Sequence, residues 1–132
     1  MINYTFGKKY SLKSKIEIDR LFESGNRVSS YPFTVFFKES NDESGITPFK
    51  IVFSAPKRTF RKAVKRNRIK RIMRESIRLN KNKLEDYLNT QNKRVNLFLI
   101  YSASEEIEHS VLNKKTVKLF DKIIKHLDVQ KN

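Results

Sequence analysis

The chain has 132 residues, with 29 Lys and Arg against 14 Asp and Glu, for a formal charge of +15. That length suits one domain, residues 1–132, with a single core; so large an excess charge opposes compaction and calls for a polyanionic partner. The absence of Cys excludes disulfides, thiolate zinc sites and a Cys nucleophile, while 38% hydrophobic residues, with ten Phe and five Tyr, exclude a disordered basic tail. No apolar run is long enough for a membrane helix, and Met1 to Phe6 lacks the basic-then-apolar order of a signal peptide. A soluble cytoplasmic protein is expected, with residues 1–10 and 128–132 as flexible ends.

Ser14-Lys15-Ile16-Glu17 reads as a capping box opening a helix over 15–24. Ile18, Leu21 and Phe22 share one face of it, and Gly25 is expected to close it in the left-handed conformation. After Pro32, Phe33 to Lys38 is β-branched and aromatic and predicts a strand, with a further short strand near Arg27–Ser30. Asn41-Asp42-Glu43-Ser44-Gly45 is turn chemistry, and Phe49 to Ser54 predicts a second strand, paired antiparallel with the first. Ala63 to Leu79 is helical in period, and a short helical continuation runs through Leu84 and Leu88. Val95 to Tyr101 is almost wholly apolar and predicts a central strand buried on both faces. A last helix, Ser110 to Leu127, turns Leu112, Leu119, Phe120, Ile123 and Leu127 to the core. The fold class is α+β: one small sheet carrying helices, with parallel pairing across the β-α-β step from 49–54 to 95–101.

Chemistry concentrates in residues 57–78, where eleven of 22 are Lys or Arg and only Glu75 opposes them. At helical spacing Asn67, Lys70, Arg71, Arg74 and Arg78 lie opposite Ile69, Met73 and Ile77, so one face enters a core and the other presents a column of cations. An ordinary solvated face mixes signs; here Arg66/Lys70, Lys70/Arg74 and Arg74/Arg78 are like-charge i,i+4 pairs, each costing a few tenths of a kcal/mol, roughly. Arg predominates, and its planar fork matches phosphate oxygens. Nucleic acid is the natural partner. In the strands, Phe36, Val52, Ser54, Phe98 and Ile100 alternate with Val35, Phe37, Ile51, Phe53 and Leu99. Composition alone slightly favours helices over both faces, whereas one open face would offer aromatic surface to unpaired bases.

At Ala63-Val64-Lys65-Arg66-Asn67-Arg68-Ile69-Lys70-Arg71, followed by Arg74 and Glu75, the sequence resembles the Arg-Asn-Arg helix of the bacterial ribonuclease P protein subunit. Leu12 to Gly25 resembles that family's first helix, Phe33 to Phe37 its first long strand, and Phe53-Ser54-Ala55-Pro56-Lys57-Arg58 its approach to the basic helix. The resemblance runs from about Leu12 to Leu127. It implies a mixed sheet of about four strands with about three helices, like the second domain of a ribosomal small-subunit protein, and a left-handed β-α-β crossover where the general expectation is right-handed. It further implies removal of the 5′ leader from precursor tRNA, with a catalytic RNA as partner, one protein per RNA, and Mg²⁺ acting with the RNA subunit. Carried over by motif, Lys57, Arg58, Lys62, Lys65, Arg66, Asn67, Arg68, Lys70, Arg71 and Arg74 would contact the RNA. Ile18, Phe22, Phe36 and Ser54 would line the leader cleft on an open sheet face. Ile18 stands where family members often carry Phe, and the segment from Ser54 to Arg66 is one residue longer than in many.

A protein nuclease needs clustered carboxylates or a His general base. His109 and His126 sit in no motif and suit surface positions on a helix; Glu105, Glu106 and Glu108 precede the last helix, where acids complement its dipole. No catalytic site is read in the polypeptide, and its metal ligands stay unassigned. The rival from another class is a structural RNA-binding protein, such as a ribosomal protein of this fold. A DNA-binding module comes third, because this helix carries phosphate-type rather than base-reading side chains.

Overall fold

The computed structural model describes residues 6–40 and 47–130, so the turn expected at Asn41–Gly45 lies outside the described residues. Ser14 caps the first helix, α1 (Lys15–Ser24), by accepting from the Glu17 amide at 3.3 Å. The reciprocal half of the capping box is absent. The Glu17 carboxylate instead accepts from Arg20 at 2.9 Å and from Asn96 at 3.2 Å, so it ties the helix to the sheet.

Gly25 closes α1, but with φ −78° and ψ 165°, which is extended rather than left-handed backbone. Its lack of a side chain matters for another reason: a Cβ there would lie 2.4 Å from the Leu21 carbonyl oxygen. That close approach lets the chain turn at once into β1 (Asn26–Ser30), which pairs antiparallel with β2 (Phe33–Glu39).

The expected antiparallel pairing of β2 with β3 (Phe49–Ser54) does not occur. β4 (Val95–Tyr101) lies between them, antiparallel to β2 and parallel to β3, for a sheet order β1-β2-β4-β3. The most apolar strand takes the central position because there it is flanked by strands on both edges. The parallel β3/β4 pair encloses α2 (Ala63–Asn80) and α3 (Asn82–Thr90), and α4 (His109–Gln130) follows β4. The described residues thus form four α-helices, α3 being the short continuation through Leu84 and Leu88, plus a 3₁₀ turn at Lys8–Tyr10. Asn92, at φ 53°, turns the chain out of α3 toward β4.

Period-two alternation splits the sheet into two unlike faces. Phe33, Val35, Phe37, Phe49, Ile51, Val95, Leu97, Leu99 and Tyr101 are buried against Ile69, Met73 and Ile77 of α2, Leu84 and Leu88 of α3, and Leu112, Leu119, Phe120, Ile123 and Leu127 of α4. Each such large side chain contributes about 1.5–3 kcal/mol by leaving water. The opposite face carries Phe36, Val52, Phe98 and Ile100, all only half-buried. β4 is therefore not buried on both faces, because on that side α1 is the one helix packed against it among the described residues.

Two polar clusters lock the helical layer. Ser76 of α2 meets Thr116 of α4 at 2.7 Å, with Asn80 donating to Asn113 at 3.0 Å. Lys81, at the break between α2 and α3, is fully buried; its ammonium binds Glu85 at 2.7 Å and lies over the Tyr10 ring, while the Tyr10 hydroxyl donates to the same carboxylate at 2.8 Å. A charge so enclosed is tolerable only because it is paired and hydrogen-bonded. His126 is only half-exposed: its ring meets Phe37 edge-on at 5.3 Å, and Nε2 is buried with no hydrogen-bond partner among the described residues. His109 is exposed at the start of α4.

Candidate nucleic-acid interface

The approach to α2 is built by a turn in which the Thr59 and Phe60 amides both donate to the Pro56 carbonyl, at 3.1 and 2.9 Å. This buries Phe60 against Tyr101 and leaves Lys57 and Arg58 exposed. Arg66 reaches back from the first turn of α2 and donates to the carbonyls of Phe60 and Arg61, at 2.9 and 2.8 Å. One guanidinium nitrogen thus holds the loop on the helix, and the half-buried stem leaves the remaining donors available.

Along the outer face of α2, Lys62, Lys65, Asn67, Arg68, Arg71 and Arg74 are exposed and Lys70 half-exposed. The face opposite Ile69, Met73 and Ile77 is the cationic column that the spacing predicts. Three of the exposed side chains just named have partners among the described residues. Arg68 donates to both oxygens of Glu106, at 2.6 and 3.2 Å, with the Lys65 ammonium at 3.9 Å from the same group. The hydrogen bonds from Arg68 hold the Glu106 carboxyl below its ordinary range. Glu106 therefore works as an ion-pair partner of α2 rather than as a complement to the α4 dipole. The third, Arg74, lies over the Phe53 ring at 5.3 Å, a cation–π arrangement, at the mouth of a cleft of about 400 Å³ lined also by Phe6, Tyr10 and Lys70. Farther along, Arg78 pairs with Glu75, whose carboxyl is lowered chiefly by that hydrogen bond.

A second zone lies on the open sheet face. Register aligns Arg27, Phe36, Phe98 and Val52 in one row across all four strands. Phe22 of α1, nearly half exposed, leans over this row, its ring centroid 4.9 Å from Phe36 and 4.8 Å from Phe98. Ile18 stands one turn earlier on the same face of α1, and the Arg27 guanidinium lies 5.8 Å from the Phe36 ring. The next row is polar and apolar in turn: Ser29, Thr34, Ile100 and Ser54, with Thr34 bonded to Ser29 at 3.2 Å and to Ser102 at 3.1 Å. Ile18, Phe22, Phe36 and Ser54 are thus brought to one side of the sheet. Phe98 and Arg27 belong with them: alternation already puts Phe98 on the same face as Phe36, and the register sets the two side by side, whereas nothing in the sequence marks Arg27.

The two zones offer different chemistry. Guanidinium and ammonium groups on α2 suit phosphate oxygens, and the aromatic row suits the faces of unpaired bases. Among the described residues no group of three or more His, Cys, Asp and Glu is placed to hold a metal ion, and no helix is long and apolar enough to cross a membrane.

Comparison with known proteins gives one consistent answer. The family model described as Ribonuclease P matches residues 6–124. The ribonuclease P protein component of Porphyromonas gingivalis is 40% identical over 86 residues, which is 64% of this chain and 62% of that protein; the match thus spans less than two thirds of that relative. The component of Vibrio vulnificus is 28% identical over 123 residues, 93% of this chain and 92% of that protein. Two solved structures share the fold. The RNase P protein of Staphylococcus aureus has a TM-score of 0.66 at 19% identity, covering 86% of this chain and 94% of that one. The RNase P protein of Thermotoga maritima has a TM-score of 0.66 at 20% identity, covering 85% and 96%.

Proposed function

The chain belongs to the ribonuclease P protein family, and from that membership we propose that it is the protein component of a ribonucleoprotein that removes the 5′ leader from precursor tRNA in the cytoplasm. In this reading one copy joins one catalytic RNA, and bond cleavage takes place in the RNA. The observation that carries it is the pairing of an outward cationic helix with an open aromatic sheet face in one small domain.

Assembly uses α2. Lys57, Arg58, Lys62, Lys65, Lys70, Arg71 and Arg74 present charge to the RNA backbone, releasing counterions as they bind, and Asn67 adds a neutral hydrogen-bonding amide among them. Arg66 and Arg68 act from fixed positions, the first tied to its own approach loop and the second to Glu106. Substrate selection uses the other face. Phe36 and Phe98, with Phe22 above them and Ile18 alongside, stack on leader bases, Arg27 and Ser54 flanking at the rim; stacking of this kind is worth about 1–3 kcal/mol per base. When bound by the RNA, Mg²⁺ would supply water activation and stabilise the leaving oxygen; the described residues of the two zones fit phosphates and bases rather than that ion.

Adding the protein to ribonuclease P RNA should tighten binding of leader-bearing tRNA far more than of mature tRNA. An equal gain for both would contradict the leader role. The rival structural RNA-binding reading predicts that equal gain and draws no support from the relatives, which are ribonuclease P proteins.

A further inference from the structure

α1 and α3 mix their charges: Lys15, Glu17, Asp19, Arg20 and Glu23 in the first, Lys83, Glu85 and Asp86 in the second. α4 does not. Its outer face carries Lys114, Lys118, Lys122 and Lys125, all exposed, with half-exposed Lys115 beside them. These positions recur at i, i+4, i+8 and i+11 and form a column about 16 Å long on the side opposite Leu112, Leu119 and Ile123. The two acids of the helix lie toward α3 and are taken there: Asp121 pairs with Lys83 at 2.5 Å, and Asp128 accepts from the Tyr87 hydroxyl at 2.7 Å. Lys122 crosses to the Ser29 carbonyl at the edge strand β1. Lys114/Lys118 and Lys118/Lys122 are like-charge i,i+4 pairs that disfavour the helix in isolation, the same signature that marks α2.

Position decides which polyanion this column meets. α4 and α2 form one layer, clasped through Ser76 and Thr116, over the buried sheet face. Their outer sides both turn away from the sheet, whereas Phe36 and Phe98 lie on the opposite side. A backbone lying along α2 can continue over α4, which shares its layer, whereas the aromatic row lies across the sheet from both.

We infer that the Lys114–Lys118–Lys122–Lys125 column of α4 is a second phosphate-contact surface for the same catalytic RNA that α2 grips, widening the assembly interface across the helical layer. The inference rests on the ribonuclease P reading above and adds a surface to it.

The test is a salt titration of binding to ribonuclease P RNA with the full chain and the triple variant K114Q/K118Q/K125Q, which spares Lys122 and its bond to β1. The triple variant should melt like the parent, and its log Kd against log salt should be shallower by about two units. As a second measurement, K118C carrying an iron chelate (a unique label, since the chain has no Cys) should cut that RNA at defined positions by hydroxyl radicals. A parental salt slope together with no cutting from position 118 overturns the α4 surface and leaves the ribonuclease P reading standing. If the unmodified protein neither binds that RNA nor speeds cleavage of precursor tRNA, both fall.

Discussion

Arg68 and Glu106 form a two-point ion pair, at 2.6 and 3.2 Å, between the middle of the basic motif and the loop after β4. The pair neutralises a cation that the proposed function assigns to RNA binding, and it draws in Lys65 at 3.9 Å. Phosphate must therefore displace Glu106 or share Arg68 with it. Replacing Glu106 with Gln should tighten binding to ribonuclease P RNA a few-fold, on the order of what an exposed ion pair is worth, and steepen the salt dependence. Weaker binding in E106Q would show instead that the carboxylate holds Arg68 in its binding position.

Arg66 and Arg71 share a motif but not a task. Arg66 donates to two loop carbonyls, whereas Arg71 is exposed on the outer column. Arg71→Ala should leave the melting temperature unchanged and lower the salt slope of RNA binding by about one. Arg66→Ala should destabilise the fold by about 1.5–3 kcal/mol, the range for hydrogen bonds involving a charged group, and Arg66→Lys should recover little of it because a point charge cannot reproduce the fork. Urea denaturation of the three variants separates the cases.

Phe36 lies under Phe22 and beside Phe98, so removing its ring opens the aromatic row at its centre. Phe36→Ala should raise the KM for leader-bearing tRNA by about tenfold or more, given 1–3 kcal/mol per stacked base, and leave affinity for mature tRNA unchanged. Equal losses on both substrates would remove the cleft from the account.

Three tyrosines should ionise late. Burial, helped by the hydrogen bond to Asp128, pushes Tyr87 up to about 12; burial likewise raises Tyr10, which donates to Glu85, and Tyr101. Because the folded values lie above the unfolded ones, this stabilisation is complete below about pH 10, the free tyrosine value, and is lost as pH rises through the folded values. A near-UV phenolate titration should show these groups ionising together with unfolding at alkaline pH. Full ionisation of all tyrosines near the free value in a folded chain would contradict the burial described.

The elements themselves were readable from pattern: α2 by Ile69, Met73 and Ile77 at helical spacing, β4 by an apolar run broken only by Asn96. Sheet order was not. β2 and β3 are neighbours in sequence and suggest a hairpin, and only the partnering of β4 with both shows otherwise. Gly25 was rightly marked as the end of α1, for the wrong reason, since the restriction is contact with the Leu21 carbonyl rather than φ. In the interface the cationic column was legible from like charges at helical spacing. Its partner Glu106 was not, because it arrives from 38 residues away in sequence. Lys81 shows the same limit: a lone Lys between two helices reads as surface, and its burial depends on Glu85 and Tyr10 meeting it.

The central claim is that this chain is a partner to a catalytic RNA and does no cleavage itself. Cleavage of 5′-labelled precursor tRNA at low Mg²⁺ should be followed with the protein alone, ribonuclease P RNA alone, and both together. The account predicts no product with the protein alone, slow cleavage with the RNA alone, and much faster cleavage at the mature 5′ end with both. Tight RNA binding without any acceleration, or product from the protein alone, would contradict it.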